Sequence, residues 1–262
     1  MSEVEKICMS IPDIKIQDLV DISREAGEAI TRIYNSDDYG VEFKDDSSPL
    51  TLADSESHRV IEKRLKESYP RIPLLSEEGK EIPFDTRKGW ERFWLVDPLD
   101  GTKEFINRNG EFTVNISLIE RGSPVIGVIF APVLNVCYYT GEGDEVFRQE
   151  ADEEPRIIEV TRNTGAGIVA VTSRSHSSED EQEKLRGLGV TESISVGSSL
   201  KFCLVAEGRA HLYYRHGPTW EWDTGAGHAI AERAGAEVSG LSYNKKVLKN
   251  SSFLVTSLGK NF

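Results

Sequence analysis

The sequence predicts a layered α/β protein, and three patterns support this prediction. Residues 13–34 repeat apolar side chains at a mostly three-and-four spacing, which is typical of an amphipathic helix. Residues 111–146 contain β-branched runs separated by turns, and residues 168–188 pass from an apolar strand into a helical segment. A chain of 262 residues suits one large domain or two packed lobes. We expect one functional unit of two closely packed lobes, approximately residues 1–150 and 151–262.

The composition excludes several classes of protein. The hydrophobic fraction of 38% and the charged fraction of 29% are ordinary for a soluble globular protein, and no apolar run is long enough to cross a bilayer. A net charge of −13 argues against binding to nucleic acid polymers, because that binding depends on cationic side chains. The first eight residues lack the basic and apolar regions of a secretory signal. We therefore expect a cytoplasmic protein, with peripheral association at the inner face of the membrane left open.

The three cysteines, Cys8, Cys137 and Cys203, lie far apart in the sequence and form no Cys-x-x-Cys pair. Their odd number and wide spacing argue against a disulfide framework and against a zinc site. We interpret each of them as a core or incidental residue.

The first part of the chain predicts two helices and then a strand. The first helix, residues 13–34, ends at a polar break. A polar loop leads into a second helical pattern over residues 54–69, where Asp54 suits the N-cap position. Residues 70–75 form a short apolar run that closes on Glu77 and its acidic neighbour, so carboxylates follow a predicted strand.

The rest of the chain predicts a meander and then alternating strands and helices. Residues 111–146 read as antiparallel strands, and the acidic stretch 149–155 reads as a solvated loop between the lobes. Beyond it we expect the following elements in order: a strand at 168–173, a helix at 178–188, a turn and helix at 195–208, a strand at 210–215, a helix headed by Asp223, and a strand at 235–238.

The stretch 93–105 carries the main chemical signal. Its apolar start suits a buried strand, which we expect to leave the sheet at Asp97, directly before Pro98. Asp97 and Asp100 lie three residues apart across this proline, so both carboxylates can face one point. Two acids that face one point repel each other unless a cation lies between them. On spacing alone, an ordinary Asp-Pro turn with solvated acids explains these residues equally well.

Gly101 and Thr102 follow directly, where the start of a helix or turn presents free backbone N–H groups to an anion. A metal and a phosphate can therefore meet at this point of the chain.

Four carboxylates outside any His or Cys cluster stand at predicted element ends: Glu77, Asp97, Asp100 and Asp223. An all-oxygen set favours hard cations, Mg²⁺ first and Mn²⁺ or Ca²⁺ next, over zinc or copper. Magnesium chemistry in proteins usually acts on phosphate, and two metals can activate water for in-line attack without a covalent intermediate. The sequence contains no Walker-type loop and no kinase glycine-rich loop. We therefore favour phosphate hydrolysis over phosphoryl transfer.

The chain resembles the inositol monophosphatase superfamily of lithium-sensitive, magnesium-dependent phosphatases over nearly its whole length. The resemblance is carried by three motifs: Ser76-Glu-Glu78, Asp97-Pro-Leu-Asp-Gly-Thr102 and Glu221-Trp-Asp-Thr-Gly-Ala-Gly227. Within the superfamily it is most similar to the 3'(2'),5'-bisphosphate nucleotidases, in the stretches 94–105, 109–116, 197–202 and 218–223. The Lys-Glu-Phe after Asp-Gly-Thr helps to separate it from the inositol phosphatases, which usually read Thr-Asn-Phe there.

This resemblance implies an αβαβα sandwich and release of the 3'-phosphate of adenosine 3',5'-bisphosphate to give AMP, with its sulfated relative as a further substrate. It implies two or three Mg²⁺ ions, replaceable by Mn²⁺, and inhibition by Li⁺ and Ca²⁺. The first ion would be held by Glu77, Asp97 and the Leu99 carbonyl, and the second by Asp97, Asp100 and Asp223, with a third sharing Glu77. Small phosphorylated nucleotides are the expected partners, and the superfamily includes both monomers and dimers.

The resemblance also implies catalytic roles. Thr102, oriented by Asp54, would act with Glu77 to position and deprotonate the attacking water. The Gly101 and Thr102 amides would hold the phosphate. For Asp54 the residues alone leave open the simpler role of a helix cap.

Substrate contacts are implied at Asp223 and at four further positions that resemble the family's Ser-x-His and Ser-x-x-Lys elements: Ser173, His176, Ser198 and Lys201. Arg215 is a further candidate for anion binding. A surface turn for His176 and a solvated helix position for Lys201 remain open alternatives. Trp220 stands where relatives usually have a smaller residue or Met, and His211 where many have Asp, which leaves the fine substrate preference open.

Two other functions remain open from the sequence. The same metal site serves an inositol monophosphatase or a sugar bisphosphatase, and the nucleoside-side residues would discriminate between these substrates. A non-catalytic divalent-cation or nucleotide-binding protein is the third hypothesis, although metal binding alone does not require Thr102 with Asp54.

Overall fold

The computed structural model describes residues 14–36, 42–43, 49–175 and 178–259. Within these ranges the helices are α1 (Ile16–Tyr34), α2 (Leu52–Ser68), α3 (Phe84–Arg87), α4 (Thr102–Ile106), α5 (Glu179–Gly187), α6 (Leu200–Ala206) and α7 (Glu221–Arg233). Each helix in the described part of the chain is too short or too polar to span a membrane.

Two larger sheets organise these helices. The seven-stranded sheet has the order β3 to β9: β3 (Leu74–Ser76), β4 (Arg92–Asp100), β5 (Thr113–Glu120), β6 (Ser123–Ala131), β7 (Val136–Thr140), β8 (Val146–Glu150) and β9 (Arg156–Ile157). Its strands are antiparallel except for the β3–β4 pair, which is parallel.

The five-stranded sheet has the order β11-β10-β12-β16-β14: β10 (Ile168–Ser173), β11 (Val190–Val196), β12 (Leu212–Arg215), β14 (Glu237–Ser239) and β16 (Phe253–Thr256). The short pairs β1 (Glu42–Phe43) with β2 (Pro49–Leu50) and β13 (Thr219–Trp220) with β15 (Lys249–Asn250) complete the described strands.

The elements stack as alternating layers of helix and sheet. Helices α1 and α2 cover one face of the seven-stranded sheet, and α6 and α7 lie between the two sheets. Helix α5 covers the outer side of the five-stranded sheet, where Leu185 packs on Ala170 and Leu212. The fold is therefore the αβαβα arrangement that the resemblance implies. The division into two lobes near residue 150 stays a prediction.

Two hydrophobic cores hold the layers together. One joins α1 and α2 to the seven-stranded sheet around Trp94 and Phe105, and the other joins that sheet to α6, α7 and the five-stranded sheet. Helix α7 approaches β6 so closely that a Cβ on Gly127 would stand 2.3 Å from the Ala226 carbonyl oxygen. A Cβ on Gly225 of α7 would likewise stand 2.5 Å from Ser117 Oγ of β5, so the small residues of α7 permit the close packing that the sequence predicts.

Most predicted elements are present, with four corrections. Strand β4 does not end at Asp97 but continues to Asp100. Pro98 and Leu99 form a bulge opposite a single residue of β5, and pairing with β5 resumes at Asp100. Strand β11 was not predicted, because its mostly exposed residues lack an apolar pattern. Residues 149–155 were predicted to form a loop, whereas β8 reaches Glu150.

The fourth correction concerns the start of α2, where the N-cap is Thr51 rather than Asp54. Cys137 and Cys203 are free and buried, as expected of core residues, and Cys8 lies outside the described residues.

Candidate metal and phosphate site

A cavity of about 290 Å³ opens where the two sheets meet α4, α6 and α7. Many of the predicted site residues line it, and they come from both halves of the chain: Glu77, Asp100, Gly101, Thr102, Ser173, Ser198, Lys201, Arg215 and Asp223. Asp97 and Asp54 are buried next to residues of this lining. His176 lies outside the described residues, so its role in substrate binding stays a prediction.

The bulge in β4 orients the central acids. The Leu99 amide donates a hydrogen bond of 3.1 Å to Asp97 Oδ1, which holds that carboxylate at the bulge. The Glu77 amide donates to the Val96 carbonyl at 3.1 Å, so the residue after β3 stays attached to β4. Carboxylate oxygens of Glu77, Asp97 and Asp223 lie within 4.8 Å of one another. Three acids from three separate elements thus converge on one point.

The electrostatics of this cluster are unfavourable without a cation. Burial raises the pKa of Asp97 well above its ordinary value, and the charges of Glu77 and Asp100 raise it further. The pKa of Asp223 is raised for the same reasons, burial first and then Asp100 and Glu77. A buried all-oxygen donor set that resists ionisation fits a hard divalent cation.

Asp100 lies beside this cluster and connects it to the opposite wall of the cavity. Its Oδ2 accepts hydrogen bonds from Ser199 Oγ at 2.6 Å and from Asn115 Nδ2 at 3.3 Å. Burial raises the pKa of Asp100, while the charge of Lys201 and the Ser199 hydrogen bond oppose that rise. Sequence reasoning missed Ser199 and Asn115. A buried Asn in the β-branched run of β5 is the signal that could have indicated one of them.

Asp54 makes contacts on two sides: it is the N3 residue at the start of α2 rather than its N-cap, and it also contacts Thr102. Its Oδ2 accepts hydrogen bonds from the Thr51 amide at 2.8 Å and the Thr51 hydroxyl at 2.6 Å, as the N3 residue of a capping box. Its Oδ1 accepts a hydrogen bond of 3.3 Å from Thr102 Oγ1. Burial raises the pKa of Asp54 to about 6, although the Thr51 hydrogen bonds oppose this effect.

Gly101 allows β4 to turn into α4 next to the cavity. Its φ of +94° lies in the left-handed region, and an added Cβ would stand 3.2 Å from both Glu104 Oε2 and Ser198 Cβ. Any side chain here would therefore be strained by the backbone and by its neighbours.

The wall opposite the acids is polar and basic. Lys201 is 7% exposed, and burial lowers its pKa, whereas the charges of Asp100 and Glu104 raise it. Its Nζ donates a hydrogen bond of 2.5 Å to the Ser198 carbonyl. The alternative of a solvated helix position for Lys201 is therefore wrong. Ser198 has a φ of +43°, and its buried hydroxyl has no hydrogen-bond partner among the described residues.

Arg215 forms a partly buried ion pair of 3.3 Å with Glu181, which also accepts a hydrogen bond from the His216 amide at 3.0 Å. Glu181 is the N3 residue of the capping box of α5, so this helix start and the arginine of β12 support each other. Sequence reasoning did not identify Glu181, because its partner lies 34 residues away in the chain.

The two departures from the family pattern have structural explanations. Trp220 stacks on Trp222 with ring centroids 5.1 Å apart, and Lys249 Nζ lies 4.7 Å from the centroid of Trp220. The Trp220 amide donates a hydrogen bond of 2.8 Å to Asp223 Oδ2, so Trp220 borders the acid cluster. His211 instead accepts from the Val169 amide at 3.0 Å, at the opposite end of the five-stranded sheet from the cavity-lining Ser173.

Comparisons with known proteins agree with this geometry. The model of the inositol monophosphatase family matches residues 15–262. The chain is 50% identical over 225 residues to a 3'(2'),5'-bisphosphate nucleotidase CysQ of Salmonella typhimurium, a match that covers 85% of this chain and 89% of the relative. It is 49% identical over 218 residues to the CysQ of Escherichia coli K12, with coverage of 83% and 87%.

Solved structures give the same result. The crystal structure of CysQ from Bacteroides thetaiotaomicron is similar with a TM-score of 0.82 and 40% identity, over 94% of this chain and 97% of the other. An IMPase from Thermotoga maritima is similar with a TM-score of 0.72 and 25% identity, over 92% and 91% of the two chains.

Proposed function

Because this chain belongs to the inositol monophosphatase family, we propose that it is a 3'(2'),5'-bisphosphate nucleotidase. In this proposal it hydrolyses the 3'-phosphate of adenosine 3',5'-bisphosphate to give AMP and phosphate, and it accepts the sulfated relative of that nucleotide. One observation carries the proposal: a crowded carboxylate cluster and a basic wall face each other across one cavity. Relatives with this name at 50% identity support it.

The acids would hold Mg²⁺, with Mn²⁺ able to replace it and Li⁺ and Ca²⁺ as inhibitors. Glu77, Asp97, Asp100 and Asp223 are the proposed side-chain ligands, together with the Leu99 carbonyl. Bound divalent ions stabilise negative charge on phosphate oxygens and lower the pKa of water. Carboxylate repulsion within the described cluster would be relieved by the same ions.

The water-activating group in this proposal is Thr102, with Asp54 behind it. The hydrogen bond from Thr102 Oγ1 to Asp54 Oδ1 leaves the oxygen lone pairs of Thr102 available to accept a hydrogen bond from the attacking water. As the water proton passes to Thr102 Oγ1, the hydroxyl proton of Thr102 would pass to the Asp54 carboxylate. Asp54 is itself held by two bonds from Thr51, so the pair is oriented before substrate binds. Glu77 would assist from the other side, and the Gly101 and Thr102 amides would bind the phosphate that is transferred to water.

The opposite wall would bind the rest of the nucleotide. Lys201, Arg215 and the hydroxyls of Ser173 and Ser198 line the cavity and suit the 5'-phosphate and the ribose. A monophosphate with an uncharged ring places no anion there, so it gains no attraction from the charges of Lys201 and Arg215. The wall therefore favours a bisphosphate over inositol monophosphate.

Phosphate release from the purified protein with Mg²⁺ tests the proposal. The substrates are adenosine 3',5'-bisphosphate, inositol 1-phosphate and fructose 1,6-bisphosphate, with and without lithium. We expect a preference for the nucleotide of about a hundredfold in kcat/KM, which corresponds to roughly 2.7 kcal/mol. Chromatography must identify AMP as the product, because loss of the 5'-phosphate would give the 3'-monophosphate instead.

Preference for inositol or sugar phosphate would retain the metal site and overturn the nucleoside-side assignments. Absence of release from all three substrates would favour the binding-protein hypothesis. We also propose that the activity is cytoplasmic, as the sequence analysis expects.

A further inference from the structure

The side of the cavity that carries Ser173, Ser198 and Lys201 is called the substrate wall. We propose that two neighbouring acids, Glu111 and Glu104, position the substrate wall through contacts with Arg174, Ser175 and Gly197. We call these contacts the brace. The proposal deepens the proposed function and rests on it, because the brace would set the distance between the reacting phosphate and the site for the second phosphate.

The carboxylate of Glu111 is the centre of the brace. Arg174 donates to it with both ends of its guanidinium, from Nε to Oε2 at 2.6 Å and from Nη2 to Oε1 at 2.7 Å. The Gly197 amide donates to Oε2 at 2.8 Å. Paired bonds from arginine to a carboxylate fix both position and orientation, which single contacts do not. The pKa of Glu111 is lowered by these donors although burial opposes that shift.

The two donors follow neighbouring strands of the five-stranded sheet. Strands β10 and β11 are parallel, and Ser173 lies opposite Val196 at their shared end. Arg174 comes directly after β10 and Gly197 directly after β11, so one carboxylate holds both strand ends. Arg174 Nη2 also donates to the Ser195 carbonyl at 2.9 Å, which links the two ends to each other. The next residues inward line the cavity, namely Ser173 and Ser198.

Glu104 makes the second connection, from α4. Its side chain is buried, and Oε1 accepts a hydrogen bond of 2.6 Å from Ser175 Oγ. A Cβ on Gly197 would stand 2.7 Å from both Glu104 Cγ and the Glu111 carbonyl oxygen. The backbone of the substrate wall therefore packs directly on the segment that begins with Thr102.

The brace has a consequence for specificity rather than for the chemical step. Its hydrogen bonds involve none of the acids Glu77, Asp97 and Asp223, so loosening it should disturb the substrate wall more than the reacting centre. It would shift the end of β10 and the turn before α6, and with them Ser173, Ser198 and Lys201. Binding of the second phosphate and the nucleoside should then weaken, while a substrate without these groups should react as before.

Kinetics of Arg174→Gln, Ser175→Ala and the double variant test the brace. The substrates are adenosine 3',5'-bisphosphate and p-nitrophenyl phosphate, which has neither a second phosphate nor a nucleoside. We expect the KM for the bisphosphate to rise about tenfold in the double variant, with kcat within about twofold of the parent protein. For p-nitrophenyl phosphate, kcat/KM should stay unchanged. Arg174→Lys, which keeps the charge without the paired geometry, should rescue only part of the effect.

Arg92→Gln is the matched control, because Arg92 and Glu120 form a partly buried pair between β4 and β5 at the end away from the cavity. It should leave the KM for both substrates unchanged. Equal losses with both substrates, or a fall in Tm without a change in KM, would assign the brace a purely structural role and overturn the proposal. If the parent protein does not hydrolyse the bisphosphate, the proposed function fails and the brace's role in specificity fails with it. An active parent with unaffected variants refutes the brace alone.

Discussion

The two walls of the cavity carry opposite charges and are stabilised in different ways. On the acidic wall, Glu77, Asp97 and Asp223 crowd their oxygens within 4.8 Å of one another, and burial raises the pKa of the two aspartates. On the basic wall, Arg215 has Glu181 as its partner and Lys201 donates to the Ser198 carbonyl. The basic wall is thus compensated by the protein itself.

In the proposed function, a bound divalent cation neutralises the charges of the acidic wall. Removing a charge from it should cost activity and increase the stability of the metal-free protein. Removing a charge from the basic wall should weaken substrate binding and leave the chemical step largely intact. This contrast orders the following predictions from the largest expected effect to the smallest.

Asp97→Asn should lower kcat/KM for adenosine 3',5'-bisphosphate by at least about 10³-fold, because the carboxylate at the centre of the cluster is lost. Phosphate release at saturating Mg²⁺ measures the effect. Asp85→Asn removes the same charge from an exposed side chain, 89% accessible, and should remain fully active. An active Asp97→Asn protein would show that this aspartate is not a metal ligand.

Asp54→Asn should lower kcat about 10²-fold with little change in the Mg²⁺ concentration needed for half-maximal rate, because Asp54 acts through Thr102. Thr102→Val should have a similar effect, and the double variant should be no worse than either single one. Steady-state rates over a Mg²⁺ titration separate the two quantities. Full turnover in either single variant would refute the water-activating role.

Lys201→Gln should raise the KM for the bisphosphate about thirtyfold, since one charge-assisted contact is worth roughly 2 kcal/mol. Glutamine keeps a donor for the Ser198 carbonyl, so the turn before α6 should be retained. A Mg²⁺ titration must accompany the measurement, because Lys201 also lowers the pKa of Asp100. A change confined to kcat would contradict a role in substrate binding.

In the metal-free protein, Asp97→Asn should raise the free energy of unfolding by about 1–2 kcal/mol at neutral pH. The folded pKa of Asp97 is raised, so its stability contribution is present below the ordinary aspartate pKa and is lost as pH rises through the higher one. Denaturant unfolding with a chelator, between about pH 4 and pH 8, measures this loss, which Asp97→Asn should reduce. Added Mg²⁺ should stabilise the parent protein and not the variant.

Local patterns in the sequence predicted much of the fold. Helix α1, the meander of β5 to β7, the strand β10 and the helix α5 follow from apolar spacing and from turn residues. The exact end of β4 did not follow, because pairing with β5 carries the strand through Pro98 to Asp100. Strand β11 was missed for a related reason: its exposed edge position imposes no alternating pattern.

The candidate site shows the same limit. Asp97 and Asp100 were identified from their spacing around one proline, but their environment depends on distant residues. Thr102 donates to an acid 48 residues away, and Asp100 accepts from a serine 99 residues away. Glu111 and Arg174, 63 residues apart, gave no signal in the sequence. Long-range pairs of this kind depend on how the layers pack, which no local pattern encodes.

The sequence by itself therefore determined the candidate donor chemistry: carboxylates at or near predicted element ends, a glycine and a threonine after them, and helices and strands in a layered order. The tertiary structure decided which carboxylates converge, which cations face them, and that Asp54 serves the start of α2 and Thr102 together. The reason is physical. Element type depends on neighbours along the chain, whereas charge crowding and pKa depend on neighbours in space, which are set by burial between the sheets.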